Sequence, residues 1–175
     1  MSYHRLFEGY INDLSKKSSA PGGGSAASLV FVLGVSLMEM AVNFSINKDN
    51  KRKLNKIVSL FRKVKAKALS YVDLDASVFR QALKSKGRNK KYAIRRINNI
   101  TFDLGDSCIK ILTAVSGIRG LINRGIKSDF DIGIKCVKVA LFASVKNMDA
   151  NSKFFGIENS IKAGYLKKHL KKYDS

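Results

Sequence analysis

Proline occurs once in these 175 residues, at Pro21, and tryptophan not at all. A chain so poor in the residue that breaks helices, and rich in Ala, Leu, Lys and Ile, leans towards helix over a turn-rich β fold. Cysteine is nearly as scarce. Cys108 and Cys136 both fall on apolar-periodic segments, without metal-ligand spacing. This argues against a disulfide framework or a cysteine metal site and predicts two buried, reduced thiols. His4 and His169 lie near opposite ends of the chain with no nucleophile beside them, so a histidine-centred site is not expected. No His/Cys ligand cluster for a metal is present. The start, "MSYHRLFEGYINDL", lacks the apolar stretch of a signal peptide, and a cytoplasmic location is the expectation.

Acidic residues are the other shortage. Against 33 Lys and Arg stand 13 Asp and Glu, a formal net charge of +20. Such a field attracts polyanions: nucleic acid, acidic lipid or a multiply charged small molecule. It says nothing about fold. The 45% hydrophobic content supports a real core, and the length suits one domain spanning residues 1–175.

Apolar spacing at three and four residues predicts about six helices and no hairpin. The first runs from Tyr3 to about Leu14, carrying Leu6, Phe7, Tyr10 and Ile11. After the loop "SKKSSAPGGG" a helix that is apolar nearly all round runs from Ser25 to about Ser45. A third, about Lys51 to Lys84, carries the stripe Leu54, Val58, Phe61, Ala68, Val72, Ala76, Phe79 and Leu83. "KSKGRNKK" reads as a charged turn before a helix from about Tyr92 to Arg124, bent near "ITFDLG". Ser128 reads as the cap of a helix to about Asn147, with Ile132, Cys136, Val139, Ala140 and Ala143 inward. A last helix carries Ile157, Ile161 and Leu166 and ends in "KKHLKKY". The predicted class is an all-α single-domain bundle.

The stretch from Ala26 to Ser45 is about long enough to cross a membrane, which takes roughly 20 apolar residues. It carries Glu39 in its second half and no second span follows, so a helix covered on all sides is preferred. One chain of this size hardly covers it alone, which predicts a homodimer and no membrane partner. The glycines before it lack the lysine and spacing of a Walker loop. A helix N-terminus with free amides nevertheless favours an anion, and glycine permits close approach. Ser25 as a simple N-cap explains the same residues equally well.

Three stretches occur in an order that resembles the cyclodeaminase/cyclohydrolase family, which joins formimidoyltetrahydrofolate cyclodeaminase domains and methenyltetrahydrofolate cyclohydrolases. "SAPGGGSAAS" with its apolar helix is similar to the family's opening. "VDLDASVF" resembles its Asp-x-Asp-Ala-x-x-Phe segment, and "SDFDIGIKCVKVALFASVKNMDANSK" its Ser-Asp start and paired asparagines. Lys90 of "GRNKK" matches a family lysine, whereas Asn89 stands where the family has proline. The resemblance implies one-carbon folate chemistry without a cofactor. The reaction is either deamination of 5-formiminotetrahydrofolate to 5,10-methenyltetrahydrofolate and ammonia, or hydrolysis of 5,10-methenyltetrahydrofolate to 10-formyltetrahydrofolate. It also implies a homodimer. On it, Pro21, Gly22, Gly23, Gly24, Ser25, Lys90, Asp129, Asn147 and Asn151 are substrate-binding candidates, with Ser128 and Gly133 carried alongside.

Both reactions pass through a tetrahedral carbon flanked by nitrogens and need a group that moves a proton and balances a cationic carbon; a carboxylate does both. Asp73 and Asp75 are the candidates. They lie about 200° apart on a helix, so they form no dyad. With the stripe centred on Leu69, Val72, Ala76, Phe79 and Leu83, each falls roughly 80° to one side. Asp75, beside Phe79, is preferred. Asn147 and Asn151, four residues apart, share a helix face and can read the edge of a pterin or tie down helix ends. Glu39 is expected to be a buried partner of a lysine. The basic surface suits a folate, with or without a polyglutamate tail. The second reading is a diverged, inactive homologue that binds polyanions or nucleic acid; against it, "KRKLNKIVSLFRKVKAK" places Phe61 and its valines on the core stripe.

Overall fold

The structure, a computed structural model, describes residues 2–158 and 160–174. Among the described residues it has six α-helices and no strand. They are α1 (Tyr3–Ser15), α2 (Gly23–Asn43), α3 (Lys51–Lys84), α4 (Gly87–Ser116), α5 (Lys127–Phe155) and α6 (Ser160–Asp174). Short 3-10 turns at Arg119–Leu121 and Arg124–Ile126 link α4 to α5.

Side-chain meetings fix the topology. Ser25 and Glu39 of α2 meet Val72 and Lys65 of α3, so these two run antiparallel. Tyr71 meets Asp103 while Lys53 reaches Gly117, which makes α3 and α4 antiparallel. Gly105 faces Ser144, and Gly23 and Gly34 face Asn147 and Cys136. Each of α2 to α5 is thus antiparallel to its two neighbours, an up-down-up-down four-helix ring. Phe31, Phe61, Ile111, Phe130 and Leu141 fill its centre, fully or almost fully buried. α6 lies against α5 and α4, with Leu166 buried over Gly105.

α2 is the most apolar element, with mean hydropathy 1.9 over an 18-residue window, long enough to cross a membrane by length and composition. Here it packs between α3 and α5, 61% of that window buried. α2 and α5 meet glycine against glycine. A Cβ on Gly133 would lie 2.6 Å from the Gly34 carbonyl oxygen, so no larger residue fits without parting the helices. Leu33, Met40 and Phe44 of α2 remain exposed. α1 buries none of its residues and is tied to the bundle by Tyr10, whose hydroxyl lies 3.1 Å from that of Ser25.

Several expectations are corrected. On α3 the buried residues are Leu54, Val58, Phe61, Val64, Ala68, Tyr71, Ala76, Val78 and Ala82, so Ala76 is inward as expected, whereas Leu69 and Leu83 are exposed. After Ala68 the line follows the seven-residue repeat of packed antiparallel helices instead of drifting at 3.6. α4 begins at Gly87, so the turn is only Ser85–Lys86, and it runs unbroken through "ITFDLG" to Ser116. The residue before α5 is Ile126; Ser128 is inside the helix and does not cap it. α5 continues to Phe155 and stops at Gly156, whose φ of 62° is the left-handed conformation that ends helices. Its Ile132 and Val139 are exposed, and Cys136 is only half-buried, unlike Cys108. Ile157 precedes α6, and Ile161 points to solvent. α2 begins at Gly23 with Gly22 as its cap, so Ser25 is not the N-cap.

Candidate active site

The start of α2, the second half of α3, the middle of α4 and the end of α5 meet at one end of the ring. Between them lies a cavity of about 140 Å³ lined by Gly22, Gly23, Gly24, Asp75, Asn147 and Asn151, with Phe79, Ile97 and Thr101. Larger cavities exist, but this is where residues from all three family-like stretches converge. Few residues of any other kind could build it. The glycines bring the first turn of α2 against two side chains at once. A Cβ on Gly24 would stand 2.5 Å from Cγ and Oδ2 of Asp75, and one on Gly23 2.8 Å from Asn147 Oδ1.

Asp75 occupies the buried line of α3, between Tyr71 and Val78. At 100° per residue it lies about 20° from the centre of that line, and Asp73 about 180° away. This replaces the expectation that both sit on the boundary. Asp73 is exposed and belongs to a different cavity, with Tyr10, Pro21, Ser25 and Arg80. Burial raises the Asp75 pKa, and a hydrogen bond from the Ser25 backbone amide lowers it by less, so the net direction is up. The positive end of α2 also opposes the rise, which keeps the carboxylate form accessible. No Lys or Arg lines the cavity to neutralise Asp75.

Asn147 and Asn151 face the cavity from the last third of α5. Asn147 Nδ2 is buried and has no hydrogen-bond partner. A buried donor left unmet is costly, and one aimed into a cavity awaits an acceptor on a bound molecule. The Gly23 and Gly24 amides belong to the first turn of α2, where backbone donors have no intrahelical partner. Phe79 lines the cavity, and its ring packs against two others not singled out from the sequence: Phe154 at 6.0 Å and Phe155 at 5.8 Å between centroids. Ile97 and Thr101 were also missed. They carry the helical spacing of plain core residues, and Thr101 turns its hydroxyl to the Ile97 carbonyl.

Other candidates fall elsewhere. The Ser25 hydroxyl donates to the Val72 carbonyl at 2.7 Å, fixing α2 on α3 and thereby Asp75 against Gly24. Pro21, after a cis bond to Ala20, lines the Asp73 side. Lys90 is exposed on α4 and lines no cavity described here, seven residues and about 10 Å along the axis from Ile97. Asp129 is in the first turn of α5, about 27 Å along the helix from Asn147, and cannot share its cavity within one chain. Glu39 is held by Lys65 at 2.6 Å and Arg62 at 3.0 Å, as expected of a buried partner of lysine. Among the described residues no three His, Cys, Asp or Glu cluster as a metal site would require.

The chain is similar to known proteins over nearly its whole length. The chain is 22% identical to mouse formimidoyltransferase-cyclodeaminase over 162 residues, covering 83% of this chain and 30% of that protein. It is 21% identical to the pig protein of that name over 167 residues, covering 86% and 31%. The chain therefore spans about a third of the length of these relatives. Its fold matches the crystal structure of formiminotetrahydrofolate cyclodeaminase from Thermotoga maritima with a TM-score of 0.82 at 16% identity, over 99% of this chain and 88% of the other. A family model described as formiminotransferase-cyclodeaminase matches residues 6–169, and with nearly the whole chain inside that match, the protein belongs to this family.

Proposed function

We propose that the chain is a one-carbon folate enzyme that closes 5-formiminotetrahydrofolate to 5,10-methenyltetrahydrofolate with release of ammonia. The observation that carries the reading is the lone carboxyl of Asp75, half-buried at the cavity without a cation and with its pKa raised. The substrate's formimino group is an amidinium. The substrate's N10 attacks its carbon, and the Asp75 carboxylate takes the N10 proton as the new C–N bond forms. The carbon then carries three nitrogens. Asp75 returns the proton to the former imino nitrogen, the bond to it breaks, and ammonia leaves the cationic methenyl product. One proton is taken and given back, and the overall charge stays constant. A carboxyl with a raised pKa suits both halves of this exchange. Asn147 Nδ2 supplies a hydrogen bond to an acceptor on the pterin, and Phe79 and Phe154 flank its ring.

The names borne by the relatives support deamination over hydrolysis of the methenyl compound. The experiment follows the near-ultraviolet absorbance of the methenyl product. Supplied with the formimino compound, the protein raises it; supplied with the methenyl compound, a hydrolase lowers it. If neither changes, the enzymatic reading fails. The reading includes a homodimer. Leu33, Met40 and Phe44 of α2 and Ile132, Val139 and Phe142 of α5 leave apolar area exposed on two neighbouring helices, which a second copy covers. Light scattering after size exclusion gives twice the 19.4 kDa chain mass if this holds.

A further inference from the structure

α1 has 13 residues, and Tyr10 alone among them is not exposed. Its neighbours on the apolar stripe, Leu6, Phe7, Ile11 and Leu14, all face solvent. What holds Tyr10 is polar. Its hydroxyl lies 3.1 Å from Ser25 Oγ, and among the described residues no other side chain of α1 hydrogen-bonds to the ring. The direction of this bond follows from counting protons. A serine hydroxyl has one, and Ser25 gives it to the Val72 carbonyl at 2.7 Å. Tyr10 is therefore the donor and Ser25 Oγ the acceptor. The two bonds form a chain across α1, α2 and α3 in which each polarises the next.

Ser25 is fully buried, and its backbone amide is the group that donates to Asp75. One residue thus receives the bond from α1 and holds the carboxyl. Val72, where the chain ends, is on the same turn of α3 as Asp75. Asp75 is the only titratable residue lining its cavity. Behind Ser25, Tyr10 lines a different cavity with Asp13, Asp73 and Arg80, and Asp13 is paired with Lys16. Tyr10 reaches the site only through Ser25. We infer that Tyr10 is a positioning residue: its hydroxyl clamps Ser25, and the Ser25 amide in turn sets where the Asp75 carboxyl stands when it exchanges a proton with the substrate. The inference rests on the folate reading for the reaction, and one arm of its test needs no turnover.

Tyr10→Phe keeps the ring and removes the donor. In the methenyl-forming assay kcat falls about fivefold, the worth of one neutral hydrogen bond, while KM stays within about twofold. The Ser25 amide lowers the Asp75 pKa, so loosening it raises that pKa, and the acid limb of the kcat profile moves to higher pH. Tyr3→Phe, which removes an exposed hydroxyl from the same helix, leaves both unchanged. On a Ser25→Ala background Tyr10→Phe costs nothing further, because the acceptor of its bond is gone. The arm without turnover follows the Asp75 carboxyl carbon by NMR in protein with isotope-labelled aspartate, assigned with Asp75→Asn. Its titration moves to higher pH in Tyr10→Phe. Normal kcat together with an unmoved titration overturns the inference. An equal loss from Tyr10→Phe with and without the Ser25 hydroxyl also overturns it, since a merely structural contact of α1 behaves that way. A moved titration in a protein that turns over neither folate upholds the positioning and refutes the reaction.

Discussion

Gly24→Ala isolates the geometry of the site from its chemistry, because it removes no polar group. The added Cβ stands 2.5 Å from Cγ and Oδ2 of Asp75, where ordinary contact begins at 3.4 Å. The carboxyl must therefore retreat by about 1 Å, and a misplacement of that size costs roughly a hundredfold in rate. At 1.36 kcal/mol per decade this is about 2.7 kcal/mol of transition-state stabilisation. Stability moves little. Alanine gains about 1 kcal/mol over glycine in a helix, and loosening the Ser25 amide from Asp75 removes about as much. The assay is kcat for methenyl formation, paired with thermal unfolding. Gly22→Ala is the control, since a Cβ there meets nothing within 4 Å. The reasoning is refuted if Gly24→Ala keeps normal kcat, or if Gly22→Ala loses as much.

The other expectations follow from the same contacts. Asp75→Asn lowers kcat by about a hundredfold or more, and Asp73→Asn, on the opposite face of α3, changes it by less than about twofold in the same assay. Because burial holds Asp75 above the usual carboxylate range and catalysis starts from its ionised form, kcat falls as pH drops through that raised pKa; Asp73→Asn keeps the profile. Burial pushes Glu39 up, but hydrogen bonds from Lys65 and Arg62 outweigh it and hold the folded pKa below the unfolded value. Its contribution is therefore present above the unfolded pKa and lost as pH falls through the folded one; Glu39→Gln narrows the difference in urea stability between neutral and acid pH. Gly133→Ala forces its Cβ against backbone of α2, and urea denaturation shows a loss of about 1–3 kcal/mol.

Much of the fold was legible because the apolar spacing of α2 to α5 is strong and only one proline interrupts the chain. The close approaches Gly23–Asn147 and Gly24–Asp75 were not, since they depend on which helices become neighbours. The rotation of α3 was missed for a definite reason. Leu69 and Leu83 are more apolar than Ala82, yet where helices pack closely the buried line is set by the repeat and by side-chain size. Once that line is drawn through Ala68, Tyr71, Val78 and Ala82, Asp75 is the one charged residue on this part of it, a signal present in the sequence from the start. Asp129 and Lys90 matched family positions in sequence but fall outside the cavity, because matching positions do not encode the distance along a helix.

The antiparallel ring also bears on how the protein becomes competent. Residues 23–24, 75–79, 97–101 and 147–151 meet in one layer although they are far apart along the chain, so no hairpin of two helices contains the cavity. Neighbouring helices close early through local loops, whereas the contact of α2 with α5 closes the longest loop of the bundle. That last closure brings Asn147 onto Gly23. During refolding, helical signal therefore returns ahead of catalysis, and turnover appears only with the step that shuts the ring.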